Sequence, residues 1–277
     1  MAIRGSTRSS DVRGMTADLN PSAYDAFAPF YDAFSAASDY ERWTEQVLAL
    51  AARHGVAEGA LLDLACGTGN SFVPFLRRGF EVTACDASPA MLAEAATKAP
   101  GAELLVCDIR ELPVLGSFDL ITCFDDSLNY LLDDGELGAA FEGMARNLGT
   151  AGVAAFDLNS LLAYRTTFAA DRVSERDGIV FAWRGLGDAD AEPGSVAEAR
   201  VEVFAPAAEN TYERVVTTHR QRHFPRERVL ALLAGAGLEC VAVHGVLADA
   251  SLDERPDESR HLKVLYTARR AEGGDAE

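Results

Sequence analysis

The feature that most constrains this chain is an alternation of short apolar runs with amphipathic stretches over its first two thirds. Apolar runs at residues 60–65, 80–85, 104–107, 118–124 and 153–156 read as strands. Helical patterns lie between several of them. Ser88-Pro89 is a capping residue followed by proline at the first helical position, ahead of residues 91–98. Residues 136–148 form a second such helix, and residues 39–54 a helix before the first strand, with Asp39 as cap and Gly55 as stop. Strands separated by helices predict a parallel sheet covered on both faces.

After Asn159 the rhythm changes. Residues 179–183, 196–204 and 212–224 read as strands with no helix between them, which predicts an antiparallel insert. A helix over 225–236 and strands at 238–246 and 262–268 then return to the sheet. The expected fold is therefore α/β, a doubly wound, mostly parallel seven-stranded sheet with an antiparallel β insert acting as a cap. Residues 1–20 are expected to be a flexible leader and 271–277 a flexible tail. The core takes 21–160 and 225–270, the insert 161–224, and residues 248–259, with five acidic side chains, are read as a solvated loop.

Composition narrows the partners. The 277 residues carry a formal charge of -18, a surface that repels phosphate backbones. The densest basic cluster, Arg220, Arg222, Arg226 and Arg228, is too short to reverse this. The reading is a small-molecule partner, no nucleic acid, no membrane, and room for a homodimer. Five cysteines without a CxxC pair suggest free thiols and a cytoplasmic setting. His54, His244 and His261 are scattered, so no metal site is expected.

The chemistry concentrates in LLDLACGTGNSF, residues 61–72. A strand carrying Asp63 runs into Gly67 and Gly69, which let backbone amides approach a ligand, and a helix start follows. A dinucleotide loop would place glycine at position 72, where Phe72 stands. Asp86 closes the second strand at the spacing suited to two ribose hydroxyls, and Asp108 follows the third. One aspartate at a strand end is best read as a helix cap. Three in order along one sheet edge point to a ligand with an amine, hydroxyls and a sulfonium, and suit a polyphosphate badly.

The motifs D-L-A-C-G-T-G, V-T-A-C-D-A-S, V-C-D-I-R-E-L and F-D-L-I-T-C-F-D-D closely resemble those of class I S-adenosylmethionine-dependent methyltransferases over about residues 60–158. Among these the chain looks most like small-molecule enzymes such as sugar N-methyltransferases and glycine N-methyltransferase. The resemblance implies a Rossmann-like core and S-adenosyl-L-methionine as cofactor, with S-adenosyl-L-homocysteine as product. It implies that Asp63, Ala65, Cys66, Gly67 and Gly69 face the methionine moiety and that Asp86 holds the ribose. Ala87 and Met91 would flank the adenine, Asp108 would accept from its amine, and Ile109 would offer its backbone amide. Asp125 would lie near the sulfonium, a place the adjacent Asp126 could also take. Tyr24 and Tyr31, on an N-terminal helix, would close over the cofactor's carboxylate, or simply pack that helix on the core. Asn70 stands where a third glycine is common.

For the acceptor, polar residues after the fourth strand offer Asp126, Ser127, Asn129 and Tyr130. His219, Gln221 and His223 share one face of a strand at alternate positions. Asn129, Tyr130 and Gln221 are candidate substrate contacts. The candidate bases are His223, nearest the return to the sheet, then His219 and Asp126. The expected function is methylation of a nitrogen or oxygen in a small molecule, of the kind made in secondary metabolism. The alternatives are methylation of tRNA or protein, NAD-dependent oxidoreduction, and a non-catalytic S-adenosylmethionine-binding protein.

Overall fold

The computed structural model describes residues 21–208 and 211–271. The expected leader at 1–20 and all of the expected tail but Ala271 lie outside them. Two helices open the described chain, α1 (Pro21–Ser35) and α2 (Tyr40–Ala52), the second capped by Asp39 as its sequence requires. The α/β core follows with β1 (Ala60–Leu64), α3 (Val73–Arg77), β2 (Glu81–Asp86), α4 (Pro89–Lys98), β3 (Glu103–Val106), β4 (Phe118–Cys123), α5 (Asp134–Asn147) and β5 (Leu148–Asn159). After α6 (Leu161–Thr166) come β6 (Asp171–Arg176), β7 (Ile179–Gly185), β8 (Val196–Pro206) and β9 (Tyr212–Arg222). The chain then returns through α7 (Arg226–Gly235), β10 (Leu238–Val246), β11 (Leu252–Asp253) and β12 (Lys263–Arg270).

The main sheet has the order β11-β10-β12-β5-β4-β1-β2-β3. Strands β1 to β5 pair in parallel, and β12 inserts antiparallel between β5 and β10. The count is eight, one more than expected, because β11 arises inside the stretch read as a solvated loop. It makes two residue pairs with β10, too few to leave a pattern in sequence. Alternate residues of the central strands feed two cores. Leu62, Ile121 and Phe156 face α5 and α7, whereas Leu61, Leu120 and Ala155 face α2 and α3. Phe72 and Phe75 are fully buried in the second core, which accounts for the bulky residue where a dinucleotide loop would need glycine.

From β1 the chain winds outward to β2 and β3, then crosses back to β4 and β5. The C-terminal ends of β1 and β4 therefore flank the point where winding reverses, and doubly wound sheets bind ligands in the crevice there. Above it lies the separate antiparallel sheet β6-β7-β8-β9. Strand β6 escaped sequence reading because all six of its residues are exposed and carry no alternation. Helix α1 joins the two sheets. Phe27 packs on Phe181, Val201 and Val203 of the upper sheet. Its carboxylates grip the lower one: Ser88 Oγ and the Ala90 amide donate to Asp25, and Thr68, Asn70 and Lys98 donate to Asp32. No described helix is long and apolar enough to cross a membrane.

Candidate active site

The turn after β1 is opened by three residues at positive φ, Ala65 (52°), Gly67 (52°) and Gly69 (87°). At Gly69 an added Cβ would also sit 3.0 Å from the Phe72 ring, so a side chain there would be both strained in backbone and crowded. Tyr31 of α1 roofs the turn, its Cε1 lying 3.8 Å from where a Cβ on Gly67 would be.

Asp63 lies beneath this turn rather than in it. It is fully buried, and its two oxygens accept from the hydroxyls of Ser71 and Thr122. This corrects the expectation that it faces the methionine moiety: Asp63 is still inside β1, where its side chain leaves the sheet beside its register partner Thr122 and braces the turn from below. Burial pushes its carboxyl up to about 7, against the two hydroxyl bonds that favour ionisation. A carboxyl raised in the fold stabilises fully only at low pH, and that stability is lost as pH rises through about 7. Asp63→Asn should therefore gain thermal stability relative to wild type between about pH 5 and pH 8, by at most about 3 kcal/mol. Scanning calorimetry at both pH values would show it; an equal difference in midpoint at the two would refute it.

Asp86, at the end of β2, accepts from the Gly67 amide and the Ser88 amide, each at 2.8 Å. Turn and carboxylate thus form one wall, and burial holds the Asp86 carboxyl above its ordinary range. Ala87 is half-buried beside it, while Met91 and Ile109 are buried. Asp108 is committed elsewhere. It takes the Arg110 amide and a guanidinium fork at 2.6 to 3.1 Å, and Arg110 also reaches Glu136 at 3.0 Å. Burial opposes its ionisation, but the Arg110 bonds prevail and hold it below the usual carboxylate range. An adenine amine could bind Asp108 only by displacing part of that fork.

After β4, Asp125 and Asp126 are both left-handed, at φ 55° and 52°. Two such non-glycine residues in succession persist only where surrounding contacts impose them. Tyr40 donates to Asp125 at 2.6 Å; Lys263 of β12 donates to Asp126 at 2.6 Å and to Asp157 at 2.9 Å; Gln221 also donates to Asp126. Tyr24, Tyr31 and Tyr130 all feel the Asp126 charge after the larger effect of burial, so their hydroxyls stay protonated well above the usual range. Tyr24 and Tyr130 stand edge-on, 5.7 Å apart, with His219 and Trp183 beside them.

The two candidate histidines separate. His219 faces this aromatic group, with the Tyr130 hydroxyl 2.8 Å from Nδ1 and the Thr217 hydroxyl 2.9 Å from Nε2. Burial lowers its pKa to about 4, so it is neutral at physiological pH. His223 belongs elsewhere, which corrects its ranking as first candidate base. The Gly194 amide donates to its Nδ1 at 3.1 Å, so Nε2 carries the proton and meets Glu258 at 2.9 Å. Asn129 is corrected likewise. It is fully buried, donates both amide protons to Tyr164 and the Arg222 carbonyl, and accepts the Asn159 amide, so it is spent inside the fold. Gln221 is buried between Asp126 and Asn159 and also meets the Tyr130 hydroxyl, so it acts on the cleft through Asp126 and Tyr130.

Trp183, Arg110, Lys263 and Asp157 join the site without being expected from the sequence pattern. Asp157 follows the apolar run 153–156 just as Asp86 follows 80–85, so the same strand-end rule would have found it. Among the described residues no group of His, Cys, Asp or Glu is arranged to hold a metal.

Comparison with known proteins decides the family. Residues 61–152 match the model of a methyltransferase domain. The Bacillus subtilis protein YqeM, named as a methyltransferase, is 31% identical over 244 residues, covering 86% of this chain and 94% of its own. The chain belongs to the S-adenosylmethionine-dependent methyltransferases. An S-adenosylmethionine-dependent methyltransferase from Clostridium acetobutylicum superimposes on this methyltransferase with a TM-score of 0.76 at 25% identity, covering 90% of this chain and 99% of the other. The sugar N-methyltransferase KedS8 from Streptoalloteichus sp. gives 0.69 at 26% identity, with 98% and 99% covered. The methyltransferase thus has the Rossmann-like core and the cofactor that its motifs implied, and oxidoreduction with NAD is set aside.

Proposed function

We propose that this methyltransferase moves the methyl group of S-adenosylmethionine to a nitrogen or oxygen of a small molecule held between the strand ends and the antiparallel sheet. The observation that carries it is the roofing of the crevice. Helix α1 and the upper sheet bring Tyr24, Trp183 and His219 over the Asp125–Asp126 turn and Tyr130, which suits a compact acceptor better than a polymer. The similarity to KedS8 supports an amino-sugar-like acceptor. The charge of -18 speaks against nucleic acid, and five free cysteines among the described residues suit a cytoplasmic setting.

The residues fit the cofactor. In this reading the glycine-opened turn, with the backbone of Ala65, Cys66, Gly67 and Gly69, takes the methionine end under Tyr31. Asp86 takes the ribose hydroxyls, and Ala87, Met91 and the Ile109 amide border the adenine. The bound cofactor supplies the electrophilic methyl, so the protein's task is to hold the acceptor close and in line. Asp126 and the Tyr130 hydroxyl are assigned to the acceptor, with Asp126 placed to take its proton. Neutral His219 orients Tyr130.

Label transfer tests this. The protein is incubated with methyl-labelled cofactor and, separately, with a panel of amino sugars and small alcohols, with bulk tRNA, and with a protein extract freed of small molecules. Label is expected in the small-molecule panel. Label in tRNA or protein alone would overturn the assignment, and its absence from every arm would favour a non-catalytic binding role.

A further inference from the structure

Lys263 carries no motif signal, yet its ammonium lies among three carboxylates at the ends of β4 and β5. It stands 2.6 Å from Asp126, 2.9 Å from Asp157 and 3.6 Å from Asp125. The three acids come from the ends of β4 and β5, and the lysine reaches them only because β12 runs antiparallel beside β5, pairing Lys263 with Asn159. Asp157 is fully buried, and its Oδ1 has no hydrogen-bond partner among the described residues. One cation against three acids leaves a cluster that is still net negative and is held rigidly by Tyr40 and Gln221. Tyr31 ties this cluster to the cofactor turn, since it roofs Gly67 and sits in the field of both Asp125 and Asp126.

We propose that Lys263 sets how strongly the site prefers the sulfonium donor over the neutral thioether product, by cancelling part of the charge of Asp125, Asp126 and Asp157. This rests on the methyl transfer proposed above, with the sulfonium beside the Asp125–Asp126 turn as the motifs imply. The physical reason for such a residue is differential binding. The donor is cationic and loses that charge at sulfur as the methyl leaves. An unbalanced trio of carboxylates would grip the donor before reaction more than the transition state, and tight ground-state binding does not speed the chemical step. A lysine locked among the acids moderates that grip. Because it acts through the carboxylates, Lys263 is a positioning residue and not a catalytic one.

The test compares two ligands of nearly the same shape and different charge. Titration calorimetry would measure S-adenosylmethionine and S-adenosylhomocysteine on wild type, Lys263→Met, Lys263→Arg and Asp157→Asn, at a pH high enough to keep the carboxylates ionised. Lys263→Met should raise the ratio of donor to product affinity about fivefold, as expected for removing one cation in a partly open cleft. Asp157→Asn, removing one anion, should lower the ratio by a similar factor, and Lys263→Arg should restore the wild-type ratio. If Lys263→Met does not fold, Asp157→Asn decides alone, because its Oδ1 gives up no hydrogen bond. A ratio unchanged in the charge-altering variants, with both affinities moving together, would make the cluster purely structural and overturn the proposal. Wild-type protein that binds neither ligand would instead sink the cofactor reading, and this inference with it.

Discussion

Asp86→Ala should weaken S-adenosylhomocysteine binding by about a hundredfold or more, the loss expected when a carboxylate that accepts two charged hydrogen bonds is removed. Two things are lost together. The carboxylate at the end of β2 is the acceptor assigned to the ribose hydroxyls, and it also pins the glycine turn through the Gly67 amide at 2.8 Å. Without it that amide has no side-chain partner and the turn loses its register with the adenosine wall. Stability should suffer much less. Burial already holds the Asp86 carboxyl above its ordinary range, so its removal relieves a desolvation cost while forfeiting the Gly67 and Ser88 bonds. Calorimetric titration with a thermal melt on the same material separates the two effects. Affinity within about threefold of wild type on folded protein would remove Asp86 from the cofactor site.

Asp86 and Asp63 also show how far sequence carries such a reading. Both lie at or near the end of an apolar run, a pattern that points both at the cofactor. The pattern locates a carboxylate along the sheet edge but does not say which way it points. At Asp86 the chain leaves the sheet and the side chain meets the turn amides. Asp63 sits one residue before the end of β1, still within the register, so its side chain lies on the sheet face beside its partner Thr122 and meets Ser71 from the turn. The order of strands and helices was legible because buried parallel strands and capped helices leave local signatures. Lys263 left none, since its neighbours Asp126 and Asp157 come from strands more than a hundred residues earlier in the chain. Strand β6 was equally silent, being exposed throughout.

His223→Ala should cost stability and spare chemistry. Alternation along β9 suggested that His219, Gln221 and His223 share a face, but the strand ends at Arg222 and His223 lies just beyond it. There it joins the Gly194 turn to Glu258, a residue from the stretch read as solvated that also accepts the Leu161 amide at 3.0 Å. The Tyr164 ring packs edge-on against the imidazole at 5.6 Å. Truncation to alanine leaves the Gly194 amide unpaired and Glu258 half-buried without its partner. Because Glu258 keeps a third of its side chain exposed, the cost falls at the low end for a broken buried pair, about 3 kcal/mol, or roughly 6–12 °C in thermal midpoint. Cofactor affinity and turnover per folded molecule, with the acceptor found by label transfer, should stay within about twofold of wild type, since ordinary scatter between variants is a few tenths of a kcal/mol. The reverse outcome, an unchanged melt with turnover lost, would restore His223 as the base and require the insert to move so that the imidazole leaves Glu258 and reaches the cleft. His219 differs in kind. Its nitrogens meet the hydroxyls of Tyr130 and Thr217 instead of a carboxylate, and burial keeps the ring neutral, so it can fix the Tyr130 hydroxyl without bringing a competing positive charge near the sulfonium.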